Sequence, residues 1–128
     1  MGKGKPPSFQ FYVNDYLGSK IMGCCSASRG IWICFLCHMW SSEQRGILVG
    51  TLKELQSLGH CTKKELLTLL DENMRLNFAI VESHIDDENH SSPAIYTITS
   101  RRMVRDEIKR QKWAEEKRKQ REKEQEEG

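Results

Sequence analysis

Residues 31–40 read Ile-Trp-Ile-Cys-Phe-Leu-Cys-His-Met-Trp, apolar at every position except His38. A helix built from them offers no polar face, and only a central helix surrounded by other elements tolerates that. The run is half the length a membrane span needs, so it reads as a core helix. Ser26 or Ser28 can cap its start by accepting a backbone N–H, and Ser41-Ser42 ends it. Gly30, having no side chain, would let another backbone approach closely.

The next fifty residues supply the elements that can surround this helix. Gly46-Ile47-Leu48-Val49-Gly50 is an apolar run bracketed by glycines, the pattern of a short strand. Thr51 can cap the next helix, whose Leu52, Leu55 and Leu58 share one stripe, with Gly59 as its C-terminal stop. After a tight turn at His60-Cys61, Thr62-Lys63-Lys64-Glu65 has the form of a capping box, and Leu66, Leu67, Leu69 and Leu70 carry a third helix to about Met74. Two helices joined by a short turn make a helix-turn-helix. Phe78 to Ile85 and Ala94 to Thr99 are rich in β-formers and flank a polar, turn-forming stretch, the pattern of a hairpin. The expected fold is therefore α+β and mostly α: a winged helix, meaning a helix-turn-helix plus a two-stranded wing, with an extended charged C-terminal helix.

At 128 residues the chain has room for one such domain. Residues 1–8 read as a flexible lead-in, residues 9–100 as the winged-helix domain and residues 101–128 as a charged helical tail. Phe9, Phe11, Tyr12, Tyr16 and Leu17 form an aromatic cluster on an extended arm with a turn at Asn14-Asp15, a candidate swapping element for a homodimer. In the tail, Met103, Val104 and Ile108 can dock on the domain. Beyond Trp113 the sequence is almost entirely Lys, Arg, Glu and Gln, for which fraying is expected. Asp106 with Arg110, and Glu115 with Lys119, have the spacing of stabilising helical pairs.

Charge is unevenly distributed. Residues 101–127 hold eleven Lys and Arg against eight Asp and Glu, a net +3, whereas residues 1–100 hold nine against ten. The near-neutral domain thus carries no global field committing it to nucleic acid. Pro6, Pro7 and Ser8 stand where a secretory leader would need an apolar segment, and five cysteines, an odd number, fit reduced thiols. Together these point to the cytoplasm, with no membrane partner.

Phe11-Tyr12 with Asp15-Tyr16-Leu17, Ser28-Arg29-Gly30-Ile31-Trp32 opening a long apolar helix that ends Met39-Trp40, and the step Ser100-Arg101-Arg102-Met103 into a basic helix resemble one known group. It is the N-terminal winged-helix domain of phage and prophage replication-initiation proteins, relatives of the DnaD-like and replisome-organiser proteins. The resemblance spans roughly residues 9–112. It implies a protein of a bacterial host cell that helps assemble a replication complex on DNA, with replication proteins as further partners. The additional C-terminal region of many relatives, used to engage DNA or a helicase loader, has no counterpart in this sequence.

Two surfaces are candidates for duplex DNA. On the third helix, with Leu66, Leu69 and Leu70 inward, the outer face presents Lys63, Lys64, Thr68, Asp71, Glu72 and Arg75. Lys63 and Lys64 suit phosphates, Thr68 a base edge, and Arg75 lies further along; the two acids oppose them. The second is the basic stretch Arg101, Arg102, Arg105, Lys109 and Arg110, whose spacing makes one broad face positive and which is the better electrostatic candidate. Asp86, Asp87 and Glu88, flanked by His84 and His90, would repel phosphates, so the wing tip is expected to stay off DNA. Cys34, Cys37 and His38 form a C-x-x-C-H, but inside an apolar helix such thiols pack as small apolar residues, and neither metal nor cofactor is expected. No phosphate-binding glycine loop, nucleophile–base pair or carboxylate cluster indicates an enzyme. Two other roles remain open: a protein-interaction module of the replication machinery, and a small winged-helix transcriptional regulator responsive through its cysteines.

Overall fold

The computed structural model describes residues 11–85 and 92–127. Its elements run α1 (Val13–Leu17), a 3₁₀ turn (Lys20–Gly23), α2 (Ser26–Ser41), β1 (Ile47–Gly50), α3 (Leu52–Gly59), α4 (Lys63–Leu76), β2 (Ile80–His84), β3 (Ile95–Thr99) and α5 (Arg101–Glu127). The chain is mostly helical, with one small antiparallel sheet. Among the described residues no helix is long and apolar enough to cross a membrane.

The core forms around α2. Ile31, Trp32, Phe35 and Met39 are buried on it and meet Leu55 of α3, Leu66 and Leu69 of α4, and Leu48 and Ile98 of the sheet. Each large apolar side chain so buried contributes roughly 1.5–3 kcal/mol. The helix is not enclosed all round. Ser26, Gly30, Ile33 and Cys37, at helical spacing, form an exposed stripe. No atom lies within 4 Å of where a Gly30 Cβ would stand, so the expected close approach does not occur there. It occurs at Gly59, where an added Cβ would sit 3.0 Å from Ile31 Cγ2 and 3.2 Å from Phe35 Cε1.

Local chemistry sets the helix ends. Both Thr51 and Thr62 head complete capping boxes: each hydroxyl accepts from the backbone N–H three residues on, and Glu54 and Glu65 accept from the cap N–H in return. The expected stop at Gly59 falls one residue later. His60 takes the left-handed conformation that ends α3, and Asn77 does the same for α4, which outruns the expected Met74 by two residues. The start of α2 differs more. Neither Ser26 nor Ser28 caps it; Cys25 occupies the cap position, and the missing acceptor comes from α4. There Glu72 Oε2 accepts from the Cys25 N–H at 2.8 Å, and Oε1 accepts from the buried Ser28 hydroxyl. Glu72 is therefore buried, not on the outer face.

The sheet has strand order β1–β3–β2, all antiparallel. Leu48, Ile98 and Val81 stand in one row facing the helices, while Val49 and Ile80 on the opposite face are exposed. The two segments expected to form a hairpin do pair, Ile80 opposite Thr99 through His84 opposite Ile95. Buried Asn73 starts β2: its side chain donates to the Ala79 carbonyl at 3.1 Å and accepts from the Ala79 N–H at 2.9 Å. Asp86, Asp87, Glu88 and His90 lie outside the described residues, as does the lead-in at residues 1–8.

From Phe11 onward the aromatic arm is not extended, and Phe9 lies outside the described residues. Asn14 and Asp15 lie within α1, closed by Tyr16 N–H to Tyr12 O at 2.9 Å and Gly18 N–H to Asn14 O at 3.0 Å. It folds onto its own chain, with Phe11 against Tyr16 and Asp15 paired to Arg102 of α5. Gly46, at φ +95, lets α5 cross closely: an added Cβ would stand 2.8 Å from Val104 Cγ2. Met103 is buried, but Ile108 is exposed and does not dock. Past Glu107 every described residue of α5 is exposed, and the helix continues unbroken to Glu127, beyond the Trp113 at which fraying is expected. Straight-chain residues of high helix propensity and the Glu115–Lys119 pair (3.7 Å) support that stretch.

Candidate nucleic-acid interface

Lys63 and Lys64 of the first candidate surface and the Arg101 anchor of the second lie toward opposite ends of α4, about 20 Å apart along its fourteen residues. At the N-terminal end, Lys63, Lys64 and Thr68 are exposed. Neither lysine has a salt bridge among the described residues. Thr68 donates its hydroxyl to the Lys64 carbonyl at 2.9 Å, which leaves its oxygen able to accept. Arg75, three turns on from Lys64, is exposed as well. With Glu72 drawn inward, Asp71 is the one acid left of the two expected to oppose these cations. The same helix carries two solvent-facing apolar groups, Leu67, 43% exposed, and Met74, 84% exposed.

At the other end, α1, α2 and the start of α5 enclose a groove of about 580 Å³. Here the basic stretch of α5 does not form the free positive face its spacing implies. Arg101 donates to the Asn77 carbonyl (2.9 Å) and side-chain oxygen (2.7 Å), tying α5 to the end of α4. Arg102 pairs with Asp15 at 2.6 Å and Asp106 at 3.8 Å, and its guanidinium lies 3.9 Å above the Tyr12 ring. Arg110 pairs with Glu107 at 2.9 Å rather than with the expected Asp106. Arg105 and Lys109 remain exposed without a salt bridge among the described residues.

Glu107 joins two cations. It accepts from Arg110 and from Arg45, whose side chain is 6% exposed, 2.8 Å away, and stacked 3.9 Å from the Trp40 ring centroid. The Arg110 hydrogen bond, followed by the charges of Arg110 and Arg45, holds the Glu107 carboxyl below its ordinary value despite burial. At Glu72 burial is the largest influence and acts upward. The hydrogen bonds from Ser28 and Cys25, with Arg75 nearby, outweigh it, so this carboxyl too is held low and ionised.

No disulfide links the cysteines. All five are free thiols, and among the described residues no three His, Cys, Asp or Glu are grouped to hold a metal ion. Cys34 is half-buried and Cys37 exposed, which corrects the expectation that both pack into the core; only Cys24 is buried. Burial raises the Cys24 and Cys61 thiols above their ordinary value.

Two side chains that shape the site, Glu72 and Arg45, are not singled out as such by sequence reasoning. The inward turn of Glu72 is available from helical phase, since Leu66, Leu69 and Asn73 face the same side. Arg45, in a polar connection before a glycine, has no such signal; its role follows from α5 crossing at Gly46. Comparison with protein-family models, with curated proteins and with solved structures finds no match.

Proposed function

We propose that this chain is a winged-helix module that binds duplex DNA through the first turn of α4 and performs no chemistry itself. The order helix, strand, helix, helix, strand, strand, with β3 between β1 and β2, supports the winged-helix reading. So does the short turn between α3 and α4, where His60 ends one helix and the Thr62 capping box opens the next. The observation that carries the DNA reading is the pair Lys63 and Lys64. Both are exposed, without a salt bridge among the described residues, on the turn that a helix-turn-helix puts into the major groove. The lysines meet phosphates, Thr68 accepts from a base edge, and Arg75 reaches the flanking backbone.

Arg101, Arg102 and Arg110 have less weight in this reading than their sequence spacing implies, because internal acceptors hold them; Arg105 and Lys109 add positive charge nearby. The resemblance to replication-initiation domains supplies the setting: assembly of a replication complex on phage or prophage DNA in the bacterial cytoplasm.

A second reading rests on Leu67 and Met74. Two exposed apolar side chains, two helical turns apart, favour a protein partner on the same face. Fluorescence anisotropy with a labelled duplex, at about 50 and about 200 mM salt, separates the two. Phosphate contacts from α4 predict a fall in affinity of about tenfold or more over that interval. Absent or salt-insensitive binding would remove the DNA reading in favour of the protein one.

A further inference from the structure

We propose that α4 selects the duplex it binds, reading a thymine methyl group through Leu67 and a cytosine amino group through Asp71. The inference rests on the duplex reading above and deepens it with these two outward side chains. Lys63, Lys64, Leu67, Thr68 and Asp71 line one shallow depression on α4, so a base edge that meets Thr68 meets Leu67 and Asp71 as well. Leu67 and Asp71 stand one helical turn apart, about 6 Å along the axis, the length of about two base-pair steps.

Donors and acceptors select the bases. Between Lys64 and Arg75 the outward positions are Leu67, Thr68, Asp71 and Met74, and none has a proton to offer. The Thr68 hydroxyl donates to the Lys64 carbonyl at 2.9 Å, and the buried amide of Asn73 is committed to Ala79. Guanine, which shows two acceptors in the major groove, finds no partner among them. Leu67, 43% exposed, has neither donor nor acceptor. Pressed on an amino group or a carbonyl it would strand that group without a hydrogen bond, whereas the thymine C5-methyl group loses nothing by the contact. Asp71 is exposed without a salt bridge among the described residues, and its carboxylate only accepts. Phosphates repel it; the cytosine amino group satisfies it. Adenine also offers an amino group, but beside its own ring acceptor, which opposes a carboxylate. Thr68 accepts from the amino group of either base and does not separate them.

The test uses the full chain and a pool of duplexes with a randomised core of about twelve base pairs, from which the bound fraction is sequenced. The expected enrichment is a thymine within about two steps of a cytosine. In the selected duplex, deoxyuridine in place of that thymine removes the methyl group alone and is expected to weaken binding about fourfold. Leu67→Ser is expected to bind the two duplexes equally, whereas loss of a merely structural leucine would keep their ratio. Asp71→Asn is expected to move the preference from cytosine to adenine, whose edge pairs with an amide, and to tighten binding to unselected duplex by removing a charge that repels phosphates. Both positions are exposed, and a thermal melt checks that each variant folds. Equal affinity of the unaltered chain for the thymine and deoxyuridine duplexes, a ratio kept in Leu67→Ser, or a cytosine preference kept in Asp71→Asn would each overturn the proposal. Salt-dependent binding without base preference overturns it and leaves the duplex reading standing. Absence of duplex binding removes both.

Discussion

The first turn of α4 and the first three turns of α5 present similar charge as sequence, Lys63-Lys64 in one and Arg101-Arg102 with Arg105, Lys109 and Arg110 in the other. Folding separates their fates. The α4 lysines stand out in solvent, whereas three of the α5 arginines are engaged in joining α5 to α1, to α4 and to the buried Arg45–Glu107 pair. The difference teaches that formal charge on a helix face measures binding capacity only after internal acceptors are subtracted. A guanidinium, with its planar fork of donors, is the side chain such internal joints recruit; a lysine is left outside.

The largest test of that contrast strikes the joint itself. Arg45→Ala strips one partner from a buried ion pair and is expected to cost about 3 kcal/mol. Chemical denaturation measures it; a loss well under about 1 kcal/mol would mean that Arg110 alone satisfies Glu107. Next comes Glu72, which joins α4 to α2 as Glu107 joins α5 to the domain. Glu72→Gln is expected to cost about 2 kcal/mol at neutral pH, the scale of hydrogen bonds to a charged acceptor. Because the fold holds this carboxyl below its ordinary value, its stabilisation is complete above about pH 4.3 and is lost as pH falls through the lower folded value. Glu107 acts in the same direction. Stability should therefore drop on acidification, and Glu72→Gln should flatten part of that slope; an unchanged acid limb in the variant contradicts the long-range cap. Smallest is the exposed pair Arg102 and Asp15. Asp15→Asn, read in a thermal melt, should cost under about 1 kcal/mol, since exposed pairs contribute little.

Much of the scaffold is legible in the sequence because its signals are local. Thr62 with Glu65 announces a helix start within four residues, and the β-formers at Val81 and Ile98 alternate with a period of two. The arm from Phe11 to Tyr16 reads as extended because its helix rests on contacts with α5, far away in the chain. Glu72 and Arg45 act across 47 and 62 residues, on Cys25 and Glu107 respectively. Their environment exists only once α4 and α5 have packed, so propensity and spacing carry no trace of Arg45's role and only a helical-phase hint of Glu72's. For the same reason the α5 arginines read as a free positive face, since their acceptors Asn77 and Asp15 come from separate elements.

The contrast between the two helices is tested most directly by the salt dependence of duplex binding in two double variants. Replacing both Lys63 and Lys64 with Ala should reduce the slope of log affinity against log salt by about 2, one unit for each phosphate contact removed. Replacing both Arg101 and Arg102 with Ala should leave that slope where it was. The opposite pattern, an unchanged slope without the lysines and a shallower one without the arginines, would mean that α5 is the DNA surface and α4 is not.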